Sequence, residues 1–568
     1  MNHLKEVAAE FSKAHPALAP MLSGPSTDPD VERLLEGVAF LVALLRQKLD
    51  DEFPEIIHEL MHMIWPHYLR PVPSTTIMAF SPKPTLKQSL SIPRGVSIAS
   101  IPVEGTSCLF QTCYEVEVHP LNLLEASFLQ PPGRPPMMKL VLELRGLRLS
   151  DWQPKCLRFF FSGNHTLATD LYFLLRHQVR RIMINPLEKG ASSLLGPDFL
   201  KPVGYGPREA LIPYPSNSFP GYRILQEYFI LPEKFLFLDL IGWERWQKRG
   251  DGSRFEICFE LAEISSPPPR IKKDNFVLFA TPAVNVFPHE ADPVRLNHHQ
   301  AQYLVRPSGS NAGHYQVYAV EKVVGFMQGT AEERRYFPFD LFHPQSQKNP
   351  VYHLNFTKSP VDDNHMVYLS VAYPPEAGPP LQETLSIGLL CTNGSLPEGI
   401  QSGDVSLPTG SSPEFVEFKN LRPPTPASLP PLGTNLLWRL VSHLSLNHLS
   451  LTSAENLRAL LTLYLFPASR DRTAILANEK RIAGIEKIEV KPANRLVSGL
   501  VMRGQEVKVK MRQDHFAGQG DLYLLGCILD YFLGGYASIN TYTNLVIEEI
   551  TKGDLYQWSA RIGDRPLI

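Results

Sequence analysis

From Val31 to Leu49, apolar residues fall at the three- and four-residue steps of an α-helix: Val31, Leu34, Leu35, Val38, Leu41, Val42, Leu45 and Leu49. Asp28 is placed to cap this helix, Pro29 suits its first position, and Asp30 and Glu32 favour the positive end of its dipole. Phe40 and Leu44 widen the apolar stripe beyond one face. That width suits a helix clasped between two neighbours, either within this chain or on another subunit. A second helix is predicted from Pro54 to about Trp65, stopped by Pro66, with Ile57, Leu60, Met61 and Ile64 on one face.

Beyond residue 75 the apolar period shortens to that of strands. "QSLSIPRGVSIAS", "MMKLVLELRGLRL", "CLRFFFSG" and "RFEICFEL" alternate or run apolar for a strand's length, between Pro- and Gly-rich turns. One helix interrupts them, "HTLATDLYFLLRHQV", with Thr169 and Asp170 expected near its start. "ILQEYFILPEKFLFLDL" is dense in aromatic residues, the texture of a core rather than of a ligand surface. "SSPPPRIKKD" punctuates the chain as a domain boundary. The strand pattern then resumes in "YQVYAVEKVVGF", "HMVYLSVAYPP" and "ETLSIGLLCTNGSLP", until "RPPTPASLPPL" reads as a stiff linker.

After residue 432 the pattern turns helical and then mixed. "TNLLWRLVSHLSLNHLSL" and "TSAENLRALLTLYLF" are predicted helices, the second with a Thr452/Glu455 capping box. In "QEVKVKMR", Val507, Val509 and Met511 face one way and Lys508, Lys510 and Arg512 the other, as in a sheet with one wet face. "GQGDLYLLGCILDYFLGGYA" is helical and "YTNLVIEEI" returns to strand. The expected fold class is α+β multidomain, with four parts. These are an N-terminal helical segment (1–74), a β-rich domain (75–268), a second β-rich domain (269–431) and a C-terminal domain mixing helix and strand in α/β fashion (432–568).

Composition narrows the function classes. The 568 residues are 43% hydrophobic and 20% charged, an ordinary globular balance, and the formal net charge of −2 gives no bulk attraction to nucleic acid or anionic membrane. The 52 prolines imply many short elements and turns. No apolar signal core opens the sequence and no stretch has the length of a membrane span, so neither export nor direct membrane insertion is expected. Six scattered cysteines without a Cys-x-x-Cys fit reduced thiols, and the expected compartment is the cytoplasm.

One motif points to chemistry. His58, Glu59 and His62 spell His-Glu-x-x-His on the second predicted helix, the arrangement in which two histidines share a zinc ion and the glutamate activates its water. A zinc-dependent hydrolase using His58, Glu59 and His62 is therefore the alternative function. The motif lacks its third ligand, however. Trp65 and Tyr68 stand where the extended motif needs Gly and His, and the next glutamate, Glu104, follows a proline-punctuated stretch that cannot be helical. A histidine pair on a helix flank accounts for it without metal. The sequence has no Gly-x-Ser-x-Gly elbow, no phosphate-binding loop and no dinucleotide fingerprint, and the Lys508/Lys510/Arg512 face has no interleaved aromatics. No catalytic residue, cofactor or metal site is assigned, and the expectation is a scaffold rather than an enzyme.

Several blocks in fixed order carry a resemblance that covers nearly the whole chain. They run from "DPDVERLLEGVAFLVALLRQKLDDEFPEIIHELMHMIWPHYLRPVPS" through "GYRILQEYFILPEKFLF", "TPAVNVFPHEADP" and "LLCTNGSLP" to "RPPTPASLPPLGTNLLWRLVSHLSLNHLSL". They end with "RGQEVKVKMRQDHFAGQGDLYLLGCILDYFLGGYASINTYTNL" and "WSARIGDRPLI". In these the chain resembles the TssF family, also called VasA or ImpG, of the bacterial type VI secretion baseplate. The resemblance implies a structural part like the wedge proteins of contractile phage baseplates. It implies two copies of this chain with one TssG, contacts with TssK and TssE, and an indirect relation to the spike hub (VgrG) and the sheath. It also implies a cytoplasmic assembly docked to the inner-membrane complex through partners. Leu34, Phe40, Leu41, Leu44 and Leu45 are then the expected inter-subunit contacts.

Overall fold

The computed structural model describes residues 37–38, 40–42, 67–214, 219–262, 269–309, 311–327, 333–339, 349–358, 365–374, 382–429, 453–465, 471–497, 500–535, 537 and 539–563. The chain divides into two compact units, residues 1–69 with 432–441, and residues 70–431 with 442–568. In the first unit, residues 37–38 and 40–42 are helical, as the periodicity predicts. The predicted helix Pro54–Trp65, including His58, Glu59 and His62, and the predicted helix beginning at Thr434 lie outside the described residues.

The second unit is β-rich. A six-stranded sheet runs in the order Val405–Leu407, Ser97–Val103, Thr106–Thr112, Ala280–Val284, Thr75–Pro82, Val416–Asn420. Thr75–Pro82 is flanked on one side by Ala280–Val284 and on the other by Val416–Asn420, and its first six residues are buried. A run buried on both faces needs no polar alternation, which is why "TTIMAF" reads as continuous. The sheet therefore crosses the sequence boundary at 268/269. Its edge extends into the proline-rich stretch, where Val72 N donates to Ser428 O at 2.8 Å and Thr425 N to Thr75 O at 2.8 Å. The described part of that stretch is thus hydrogen-bonded to the sheet rather than a free linker. Proline removes a donor but leaves the carbonyls and the remaining amides able to pair.

A five-stranded sheet (Ser193–Leu195, Val179–Pro186, Arg254–Leu261, Met137–Leu144, Leu121–Leu129) and a four-stranded sheet (Leu200–Pro202, Phe237–Leu240, Leu157–Phe161, Phe276–Leu278) hold the aromatic core. Trp152, Trp243 and Phe255 pack there with centroids 5.1 to 6.1 Å apart, and in the aromatic-dense stretch 224–240 Tyr228, Phe235 and Phe237 are at most 1% exposed, core as expected. An eight-stranded sheet is built between residues 287 and 392 around Leu296, Val323, Leu369, Leu385 and Ile387. Its longest strand, Gln316–Met327, does not keep the simple alternation predicted for it, because register shifts at Val317/Ala319 and Val320/Lys322 insert bulges.

Five helices of this unit are labelled here: α1 (His165–Phe173), α2 (Pro220–Ile230), α3 (Ala454–Leu463), α4 (Arg472–Ala483) and α5 (Gln519–Gly534). Helix α1 starts at His165, the first residue of the predicted helical stretch. Asn164 caps it, accepting from Leu167 N at 2.8 Å, so Thr169 and Asp170 sit mid-helix. Thr169 Oγ1 satisfies itself by donating to His165 O, leaving Asp170 free to bond a neighbour. Ser453, rather than Thr452, occupies the cap of α3, and Thr452 lies outside the described residues. Helix α5 is buried nearly all round, with Leu522, Leu524, Leu525, Ile528, Leu529 and Phe532 at most 1% exposed. Each such side chain contributes roughly 1.5–3 kcal/mol of burial. Surrounding α5 are α1, α2 and the strand Thr541–Glu549. That strand belongs to a five-stranded sheet led by the long hairpin Ile485–Val497/Leu500–Met511.

Candidate interaction surfaces

The polar groups inside the second unit tie elements together. Asp521, in the first turn of α5 and buried, accepts from Arg481 Nε of α4 at 2.8 Å and from Ala517 N at 3.1 Å, and it lies 2.9 Å from His165 Nε2 of α1. Burial pushes its carboxyl up, but hydrogen bonding to His165 and the Arg481 charge outweigh it and hold the group below its ordinary value. Arg481 Nη2 is also 3.0 Å from the same His165 nitrogen. All three side chains close on one another, and the cluster clamps α1, α4 and α5.

A second buried cluster surrounds Glu227 of α2. Its Oε1 accepts from Leu211 N at 2.6 Å, and its Oε2 accepts from Arg223 Nη1 at 3.1 Å and from Lys234 Nζ. Lys234 also donates to Gly204 O at 2.6 Å. Burial pushes the Lys234 ammonium down to about 8, against the opposing pull of the Glu227 charge. Two cations and one carboxylate shielded from solvent form a fixed joint, with their remaining donors and acceptors met by backbone groups of Gly204, Tyr205 and Leu211.

The thiols fit no nucleophilic role. All six cysteines are free, and burial pushes each of them up, to about 11 for Cys108, Cys258 and Cys527 and about 12 for Cys113, Cys156 and Cys391. At neutral pH such thiols hold their protons and lack the thiolate that attacks. Among the described residues no group of three His, Cys, Asp or Glu side chains is placed to hold a metal ion. No helix among them is long and apolar enough to cross a membrane.

The remaining surface features are suited to contacts. Phe40 and Leu41 are 63% and 60% exposed, while Leu34, Leu44 and Leu45 lie outside the described residues. The basic strand face is internally matched: Lys508 and Lys510 lie 2.8 and 3.5 Å from Glu548, and Arg512 lies 2.7 Å from Asp514. Val507, Val509 and Met511 are buried behind it, so the face is a solvated sheet surface, as expected. The sequence could not assign Glu548 as the partner, because Thr541–Glu549 pairs in parallel with Leu500–Met511 across the intervening helix α5. What sequence reasoning missed is the hairpin itself. The Ser498-Gly499 dipeptide between "IEKIEVKPANRLV" and "LVMRGQEVKVKM" is its available signal, masked by the proline at 492. At its tip Leu496 and Val501 are 70% and 69% exposed.

The comparisons with known proteins agree with this scaffold-like picture. The family model described as "Type VI secretion system, TssF" matches residues 1–565. The type VI secretion system component TssF1 of Pseudomonas aeruginosa is 29% identical over 621 aligned positions, spanning 100% of this chain and 98% of that protein. A solved chain of a type VI secretion TssK–TssF–TssG baseplate subcomplex is similar with a TM-score of 0.74 and 26% identity, covering 94% of this chain and 99% of that one. A chain of the baseplate complex from the type VI secretion system shares the fold, with a TM-score of 0.60 at 24% identity over 100% of this chain and 98% of that one.

Proposed function

The chain belongs to the TssF family of type VI secretion baseplate components, and from that premise we propose that it is a wedge subunit assembling with TssG- and TssK-type partners. The observation that carries this is the match, over nearly the full length of both chains, to a chain solved within a TssK–TssF–TssG baseplate subcomplex. The proposal includes two copies of this chain per TssG, contact with TssE, and a cytoplasmic baseplate around the VgrG hub that seeds the sheath and docks to the membrane complex through other subunits. Leu34, Phe40, Leu41, Leu44 and Leu45 are proposed contacts of the N-terminal helix, a role supported by the exposure of Phe40 and Leu41. Binding energy in such a part is spread over interface side chains, with a few buried anchors dominating.

Co-expression with TssG- and TssK-type proteins is expected to give a stable complex, with two copies of this chain per TssG by light scattering. A chain that stays monomeric beside both partners at micromolar concentration overturns the proposal. The role requires no catalytic step. Zinc analysis of the purified chain is expected to give less than one ion per chain, and Glu59→Gln is expected to leave assembly unchanged. Stoichiometric zinc lost with His58→Ala would instead support the hydrolase alternative.

A further inference from the structure

The hairpin Ile485–Val497/Leu500–Met511 is paired along its whole length, but its other neighbour, Thr541–Glu549, begins opposite Arg503. Residues 495–497 and 500–502 therefore stand past the end of that neighbour, a projection of roughly 10 Å at ~3.4 Å per residue. Side chains alternate along each strand, and the register places Leu496 opposite Val501 on the same face as Ile488, Val507 and Val509. The base of that face is buried in the core, whereas its apolar tip is exposed. Charge changes along the arm as well. Near the base, Lys487, Lys508, Lys510 and Arg512 are each matched by a carboxylate. Lys491 still faces Glu506 across the pair, whereas from Pro492 to Arg503, "PANRLVSGLVMR", two cations, Arg495 and Arg503, stand with no carboxylate.

Simple strand addition does not suit this arm. Ile485–Val497 is the edge strand of its sheet and carries Pro492, a residue that blunts edge pairing. A second copy paired antiparallel across this edge would bring the Lys491 and Arg495 of the two arms together, and like charges across a strand pair repel. An apolar tip with unmatched cations is complementary instead to an acidic-rimmed apolar pocket on a different protein. We propose that the hairpin tip is a docking arm for such a pocket on another baseplate subunit, with Leu496 and Val501 entering it and Arg495 and Arg503 meeting carboxylates at its rim. This rests on the baseplate reading above.

Photo-crosslinking in the reconstituted complex tests it. The full-length chain carrying Leu496→p-benzoylphenylalanine is assembled with its TssG- and TssK-type partners, irradiated, and the adducts are mapped by mass spectrometry. The expected adduct is to a partner segment containing Asp or Glu. Its yield should fall about tenfold in the Arg495→Glu/Arg503→Glu background and fall again as ionic strength is raised. An unchanged thermal melt of each variant separates lost docking from lost folding. A complex that forms normally yet gives no tip adduct, or gives one only to nucleic acid, lipid or a second copy of this chain, overturns the docking arm alone. A chain that joins neither partner removes the baseplate reading with it.

Discussion

Glu227 has no exposure to water, and both of its oxygens are committed, one to the Leu211 amide and the other to Arg223 and Lys234. Glu227→Gln keeps the shape but leaves two buried cations without a counter-charge, for an expected loss of ~3–5 kcal/mol in urea unfolding. Lys234→Met added to it should recover part of that loss, because one uncompensated charge is then removed. Two other buried groups set the acid limb of stability with opposite signs. His119 is sealed beside Trp152 and Phe279, 2.7 Å from Ser89 Oγ, and burial pushes its imidazole down to about 4. Between about 6.5 and 4 the unfolded chain binds the proton that the folded one refuses, so stability falls as the pH drops through that window, by ~3 kcal/mol. Asp530 is the reverse case: burial pushes it up to about 6 against the opposing Arg561 charge. The folded chain then binds more protons between about 6 and 4, and stability gains as the pH falls. Melting temperature against pH is expected to flatten on the acid side in His119→Gln and to steepen in Asp530→Asn. Of these three roles the sequence shows only the i,i+4 spacing of Arg223 and Glu227, because the burial of Glu227, His119 and Asp530 depends on elements far along the chain.

At the scale of elements, the junction of α1 and α5 depends on a glycine. A Cβ built on Gly520 would lie 2.3 Å from the Thr169 carbonyl carbon and 2.5 Å from Asp170 N, both backbone atoms that no rotamer change can move away. Gly520 N also donates to Asp170 Oδ1 at 3.1 Å. Gly520→Ala would gain ~1 kcal/mol of helix propensity, yet overpacking against a fixed backbone costs about 1–3 kcal/mol. Net destabilisation is the expected outcome, read as a lower melting temperature together with faster hydrogen exchange in α1. The helical nature of α5 was plain from its apolar run, and the strand facing of Val507, Val509 and Met511 from their alternation. The glycine pairs in "FAGQG" and "FLGGY" read in the sequence as turns and helix ends. That holds for Gly518 and Gly535, which flank α5, whereas Gly520 is a contact point because a helix from far earlier in the chain lies against it.

For the whole molecule, the strand Thr75–Pro82 draws both of its neighbours from beyond residue 268, at 280–284 and 416–420. A fragment spanning residues 75–268 exposes both edges of that strand and is expected to aggregate or to lack the sheet's exchange protection. A fragment spanning residues 70–429 keeps both partners and is expected to retain it. By itself the sequence determined the β-rich texture, the amphipathic helices, the aromatic core segments and, through ordered blocks, the family. These are set by local periodicity or by identity along the chain. Tertiary structure alone decided which distant strands share a sheet, that the proline-rich stretch after Arg422 bonds back to Val72 and Thr75, and that Asp521 meets His165 and Arg481. It also decided that the cations of one strand are matched by Glu548 while those at the hairpin tip are left open. Each of these depends on groups brought together from far apart, and no period or spacing in a linear chain encodes such a pairing.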